Sequence, residues 1–400
     1  MVAIFMVGCS PAPSTAPSLH KGLSGEYLKE FRADGISKKR ITVFFKSKTP
    51  DLKGFKLRQG VQIEDDLKGI NAVTVAVPAG ISPEGLLAKV SKDPVVSAGE
   101  LDRIVLLDNL TVDDPERGQQ YNLDRVVAEK AWEVSMGEEI KIAIVDTGVD
   151  QNHPDLAGKL LPGQNILDSA LYPKDDVGHG THVAGIAAAA TNNRLGIAGM
   201  APNAKIIPVK VIDRARGSAS SFARGIIWAA DHGADVMNMS FGTYEPSVVL
   251  QKAVAYAIEK NVVLVSTMGN DDEERKRYPA AYPGVIAVGS IDRQDQKSSF
   301  SNYGDWITIT APGTKIYSTA PTYPTSLVSS NGYAFLSGTS MAAPLVTGIV
   351  ALVRSQKKGA TPAQVKEILQ KSADDLGAPG FDKEFGYGCV NARRALQQLK

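Results

Sequence analysis

Three short segments carry residues able to do chemistry together: IVDTGVDQNHPDL at 144–156, GHGTHVAG at 178–185 and SGTSMAAP at 337–344. They offer Asp146, His179 and Ser340 as carboxylate, base and nucleophile. A serine hydroxyl is a poor nucleophile at neutral pH unless an imidazole takes its proton and a carboxylate fixes that imidazole in the right tautomer. Asp146 closes the apolar run KIAIV, His179 opens a helical pattern, and Ser340 precedes the helical MAAPLVTGIVALV. A helix start at Ser340 also turns backbone N–H groups and the helix dipole toward developing negative charge. Residue types and positions therefore suit acyl transfer.

Taken singly, each segment admits another reading. VDTG is also an aspartic protease signature, but that chemistry needs a second such carboxylate. The chain has no other Asp-Thr-Gly or Asp-Ser-Gly, so a homodimer would have to supply it. His179 and His182 could share a metal on one helical face, although no third His or Cys cluster accompanies them. SGTS alone could be a turn that caps a helix. Only acyl transfer uses all three segments.

The elements that must position these groups alternate. KIAIV leads to the GTHVAGIAAAA helix, AKIIPVKVI to SSFARGIIWAADHG, and DVMNMS to PSVVLQKAVAYAIEK; NVVLVST and VIAVGSI follow. Strands apolar on both faces, joined by helical crossovers, make an α/β, mostly parallel, doubly wound sheet with helices on both faces. Its ligand site belongs at the carboxyl ends of the strands. No GxGxxG follows any strand, so a dinucleotide reading has no support, and no internal repeat is evident. Upstream, ITVFF and NAVTVAV read as strands, SPEGLLAKVSKD as a helix capped by Ser82, and PVVSAGELD as extended, which makes a small α+β unit. TPDLKGFKLRQG, with a Pro and two Gly, shows no clear helix. The expected organisation is a signal segment at 1–9, a flexible linker at 10–38, the small domain at 39–107, a linker and processing region at 108–120, and a large domain at 121–400.

At 400 residues the chain exceeds the usual span of one domain. Its 44 basic and 43 acidic side chains leave a net charge of +1, which supplies no field for nucleic acid or an anionic membrane, so neither is an expected partner. Cys9 and Cys389 are its two cysteines; no disulfide framework is expected, and Cys389 reads as a buried, inert thiol. No apolar run is long enough to span a bilayer. MVAIFMVGC, followed by SPAPSTAPS, resembles a bacterial lipoprotein signal in which Cys9 is lipidated and the polar tract is a tether. The apolar run is short and no Lys or Arg precedes it, so a plain secretory signal stays open. Either reading puts the protein outside the cytoplasm, secreted or anchored to the cell envelope through Cys9.

In the order Asp, His, Ser, with DTGVD, HGTHVAG and GTSMAAP, the chain from roughly residue 113 onward resembles the subtilisin-like serine proteases, or subtilases. The related sedolisins share SGTS but use Glu where this chain has His179. The resemblance implies a serine endopeptidase that forms an acyl-enzyme on Ser340, with Asn270 and the Ser340 N–H as oxyanion donors. Read alone, Asn270 after NVVLVST is a turn residue. The resemblance further implies that an extended peptide pairs with Ser240-Phe241-Gly242 and with Arg216-Gly217-Ser218-Ala219. Ala280, beside Tyr278 and Pro279, should wall the main specificity pocket. DDEERKR, between Asn270 and Tyr278, is unusually charged, and Arg277 falls where many relatives have Gly. A charge run reads first as a solvated loop; an Arg277 that lines the pocket would instead favour an acidic side chain before the cut.

Asp114, Asp155 and Asn193 match positions that, in this family, hold a calcium ion together with loop carbonyls. Otherwise Asn193 shapes a turn and Asp155 caps a helix. Residues 39–107, above all Ala72 to Asp102, resemble the inhibitory propeptide, which implies a zymogen with its own propeptide as intramolecular inhibitor. Protein or peptide substrates and a monomer are expected. The alternative is a lipid-anchored, catalytically inactive binding protein on the same fold; such a protein would lose a triad residue, and all three are present.

Overall fold

Every residue of KIAIVD except its first is buried, because this strand has neighbours on both edges and helices on both faces. The computed structural model describes residues 36–103, 112–214, 216–329 and 332–399. The expected signal segment with Cys9 lies outside the described residues, as do most of the expected linker at 10–38 and residues 104–111. The chain divides into two compact units, Met1–Asn109 and Leu110–Lys400.

The first unit runs β1 (Ile36–Phe45), α1 (Leu52–Gln59), β2 (Ile63–Leu67), β3 (Ala72–Ala76), α2 (Pro83–Val90) and β4 (Val96–Arg103). Its antiparallel sheet has the order β2-β3-β1-β4, with Thr42 opposite Thr74 on one side and Glu100 on the other. Ile41, Val43, Val73 and Val75 form its core with Phe55 of α1 and Leu86 and Val90 of α2. Two sequence expectations change here. The stretch that showed no clear helix forms α1: Pro50 precedes the cap Asp51, which accepts from Gly54 N–H at 2.9 Å, and Gly60 ends the helix at φ 64°. Only Gly54 lies within it. Residues 36–38, assigned to the linker, already belong to β1.

The second unit begins with α3 (Tyr121–Arg125) and α4 (Ala128–Trp132). It continues through β5 (Lys141–Asp146), β6 (Gln164–Asn165), α5 (His179–Ala188), β7 (Lys205–Lys210), α6 (Ala219–Asp231) and β8 (Val236–Met239). Then come α7 (Val248–Glu259), β9 (Val263–Thr267), β10 (Ile286–Ile291), β11 (Ile309–Pro312), the antiparallel pair β12 (Ile316–Thr319) and β13 (Tyr333–Leu336), α8 (Thr339–Gln356), α9 (Pro362–Ser372) and α10 (Ala392–Gln397). Seven strands form a parallel sheet in the order β11-β10-β9-β8-β5-β7-β6. Alternation along the strands sorts their side chains into two layers. Ile142, Ile144, Val236 and Val265 pack in one core with α5 and α8; Ala143, Val145, Met237 and Met239 pack in the other with Phe222, Ile226 and Leu250 of α6 and α7. Helix α8 is buried from Met341 through Arg354, which accounts for its all-round apolar sequence.

The chain goes from β5 toward β7 and β6 on one side, then from β8 to β11 on the other. Loops that leave the carboxyl ends of β5 and β8 therefore diverge and open a crevice there. Residues 112–120 belong to this unit and not to the expected linker at 108–120. Gln120 is buried and clasps the Ala198 backbone, donating to its carbonyl at 2.7 Å and accepting its N–H at 2.8 Å. Among the described residues no helix is long and apolar enough to cross a membrane. Cys389 is buried, and burial pushes its thiol up to about 12.

Candidate active site

Asp146, the last residue of β5, is fully buried, and its Oδ1 accepts from Thr147 N–H and from His179 Nδ1, both at 2.7 Å. His179 is the first residue of α5 and remains partly exposed to the crevice. With Nδ1–H committed to Asp146, Nε2 is the proton acceptor. Burial opposes a charge on His179, but the charge and hydrogen bond of Asp146, with a further contribution from Asp175, raise its pKa above that of an ordinary imidazole. His182 turns elsewhere: its Nε2 meets the Ala334 carbonyl at 3.0 Å, and burial lowers its pKa to about 3.

Asp175 was not singled out in the sequence, yet it ties the two halves of this pair together. Its Oδ1 accepts from Thr147 Oγ1 (2.8 Å), Val177 N–H (3.1 Å) and Gly178 N–H (2.8 Å); its Oδ2 accepts from Thr181 N–H (2.8 Å) and Thr181 Oγ1 (2.7 Å). One buried carboxylate thus satisfies donors on both sides of His179 and on the residue after Asp146. An acidic residue four positions before a helix-opening His was the available signal.

Ser340 lies in the first turn of α8. Its Oγ donates to the Ser240 carbonyl at 3.4 Å and is turned toward that carbonyl instead of the imidazole. Ser240 lines the same cleft as His179, so the structure brings Asp146 and His179 into contact and holds Ser340 beside them. Asn270, after β9, presents its Oδ1 to Thr339 N–H (2.9 Å) and Thr339 Oγ1 (2.8 Å). Two donors on one atom set the orientation of the amide and leave Nδ2 as the group available to a ligand. Met341 N–H bonds to the Gly338 carbonyl, so the Ser340 N–H, between two committed neighbours, has no acceptor among the described residues.

A cleft of about 900 Å³ runs past His179. Phe241, Gly242, Arg216, Gly217 and Ala219 line it, and Phe222 and Phe241 stack with ring centroids 4.0 Å apart. Ser218 caps α6, accepting from Ser221 N–H at 3.1 Å. Arg277 also lines the cleft, whereas residues 271–276 are exposed. Ala280 does not join them. It is buried with Met268, Ala287 and Ile307.

Asp114, Asp155 and Asn193 meet in the second unit. Asn193 donates its backbone N–H to Asp114 Oδ1 (3.1 Å) and its Nδ2 to Asp155 Oδ1 (2.8 Å). Asp155 Oδ2 accepts from Ile197 N–H at 2.8 Å and from the Tyr333 hydroxyl at 3.2 Å. The short helix at Asp155 is capped by His153 and not by Asp155. Burial raises the pKa of both carboxyl groups, hydrogen bonds from neutral donors only partly offset it, and the charge of Asp155 raises Asp114 further. Asn193 turns its Oδ1 to Leu195 N–H, at 2.8 Å, so its amide would have to release that bond to present oxygen to a hard divalent cation beside the two buried, mutually repelling carboxylates.

The model of the Subtilase family matches residues 137–388 of this chain, which include His179 and Ser340 as well as Asp146. The chain belongs to the subtilase family. This subtilase is 45% identical over 289 residues to thermitase of Thermoactinomyces vulgaris, across 72% of this chain and 99% of thermitase. The thermophilic serine proteinase of Bacillus sp. (strain AK1) is 40% identical over 315 residues, 78% of this chain and 76% of that protein. Among solved structures, a protease from Pseudoalteromonas arctica matches with a TM-score of 0.67 at 32% identity, over 72% of this chain and 100% of that one. This subtilase is a serine endopeptidase, and its seven-stranded parallel sheet is the subtilisin-like fold.

Proposed function

We propose that this subtilase is made as a zymogen and, once activated, hydrolyses peptide bonds through an acyl-enzyme on Ser340. The observation that carries the reading is the 2.7 Å contact of His179 Nδ1 with Asp146, which leaves Nε2 to accept a proton at a cleft lined by Ser240, whose carbonyl accepts from Ser340 Oγ. Ser340 Oγ leaves the Ser240 carbonyl, passes its proton to His179 Nε2 and attacks the substrate carbonyl. Asp146 stabilises the imidazolium, while Ser340 N–H and Asn270 Nδ2 receive the oxyanion. His179 then protonates the leaving amine as the C–N bond breaks, and a water molecule repeats the sequence to release the acid. An extended substrate pairs with 240–242 and 216–219, whose glycines leave both edges open.

The first unit, with its own core, is the inhibitory propeptide in this reading. Asp114, Asp155 and Asn193 would hold calcium, which supplies positive charge that steadies their loops and takes no part in the chemistry. The protein acts outside the cytoplasm, in line with relatives such as the minor extracellular protease Epr of Bacillus subtilis. A lipid on Cys9 would place the anchor on the propeptide, so that maturation frees the protease from the membrane. A fluorophosphonate probe should label the activated wild type and leave Ser340→Ala unlabelled and inactive. Equal labelling of both proteins would overturn the assignment of the nucleophile.

A further inference from the structure

The two backbone segments that frame Ser340 also frame a partly buried cation. Segment 240–242 meets Ser340 through the Ser240 hydrogen bonds, and segment 268–270 meets Thr339 through Asn270. Between them, farther along each segment, runs the side chain of Arg277. A Cβ on Gly242 would lie 2.6 Å from Arg277 Nε, and one on Gly269 would lie 3.0 Å from Arg277 Cδ. A side chain at Gly242 would meet the arginine first, whereas one at Gly269 would first meet Asn302 Nδ2, at 2.5 Å. Gly242 and Arg277 line the same cleft as His179.

The guanidinium there is poorly satisfied. Among the described residues it donates no hydrogen bond, and its Nε is buried with no partner. Among the described residues its one ion pair is to Asp271, at 3.7 Å from Oδ2, an oxygen that already accepts the Tyr244 hydroxyl, and its carbon lies 5.5 Å from the centre of the Tyr244 ring. Glu245, the carboxylate that lines the cleft with Arg277, is largely exposed and faces Arg275 at 3.5 Å. Burial pulls the pKa of Arg277 below that of a free guanidinium, and Asp271 offsets this only in part. A partly buried, under-paired guanidinium gains from a carboxylate that can accept two parallel N–H bonds.

We propose that Arg277 forms the floor of the pocket for the residue acylated on Ser340 and that it selects Asp or Glu there. The proposal rests on the acyl-enzyme reading above and adds a substrate class, acidic peptides cut after the carboxylate-bearing residue. Asp271 acts as the resident counter-ion that the substrate carboxylate displaces. The apolar side chains of Phe222, Phe241 and Leu327 serve residues farther upstream in the substrate.

The test uses activated enzyme and one peptide series that differs only before the scissile bond, with Glu, Gln or Phe. Wild type should cut the Glu peptide about 10-fold or more faster in kcat/KM than the Gln peptide, the worth of one charged hydrogen-bonded pair. Arg277→Gln should bring that ratio near unity, and a circular dichroism spectrum and Tm that match wild type show that the variant is folded. Asp271→Asn should raise the Glu/Gln ratio, because the competing carboxylate is gone. A wild type that takes the label but shows no Glu preference, or a preference unchanged by Arg277→Gln, overturns the pocket assignment and leaves the acyl-enzyme reading intact. Absence of labelling in the activated wild type overturns both.

Discussion

Ser240 Oγ donates a hydrogen bond of 3.0 Å to the backbone carbonyl of Ser340. That carbonyl would ordinarily accept the N–H four residues on in α8, but residue 344 is proline and has none. Pro344 thus exposes an acceptor in the first turn, and the substrate-binding segment after β8 fills it. Nucleophile and substrate edge are joined by the vacancy.

Ser240→Ala should therefore destabilise the active-site-inhibited enzyme by about 1 kcal/mol, the net worth of a hydrogen bond to a partly buried carbonyl. The loss should shrink in a Pro344→Ala background, where residue 344 again supplies an N–H. Denaturant midpoints of the four proteins give the cycle. Strictly additive losses would show that the two residues do not share this carbonyl.

Asp175→Asn should move the acid limb of the kcat/KM profile to lower pH. Protonated His179 cannot act as base, and Asp146 together with Asp175 keeps its pKa above the ordinary imidazole value. Removal of one of those negative charges lowers it. For stability the sign is the same: the raised pKa contributes fully below the unfolded imidazole value, and the contribution fades as pH rises through the folded one. An acid limb that stays in place would remove Asp175 from the electrostatics of the base.

Asn270→Ala should lower kcat by roughly 10² to 10³ with little change in KM, a magnitude established on subtilisin itself and not obtained from this geometry. Steady-state kinetics on a single peptide separates the two constants. A raised KM at unchanged kcat would make Asn270 a ground-state binding residue.

Chelation should lower the Tm of the mature enzyme, and added calcium should restore it. An ion held only by the folded state at 100 times its Kd adds about 2.7 kcal/mol. Asp155→Asn should lower the Tm in calcium and abolish the response to chelator. A wild-type Tm indifferent to chelator would count against the site.

The sequence alone determined the parts that local chemistry announces. Asp146 ends an apolar run, and His179 and Ser340 begin helical ones, so motif, element and role coincide within a few residues. The parallel sheet was legible for the same reason, since strands covered on both faces carry unbroken apolar runs. Helix α1 was hidden because its Pro and one of its glycines are punctuation at its ends, and composition does not distinguish an end from an interior. Gln120 reads as linker until Ala198, far along the chain, supplies its hydrogen bonds. Asp175 looks like surface charge until Thr147, Gly178 and Thr181 converge on it. Arg277 shares the composition of the exposed run before it, and only the approach of Gly242 and Gly269 decides that its side chain turns inward. Burial of a polar group depends on partners distant in sequence, so it is settled when the fold closes and not by the residues beside it.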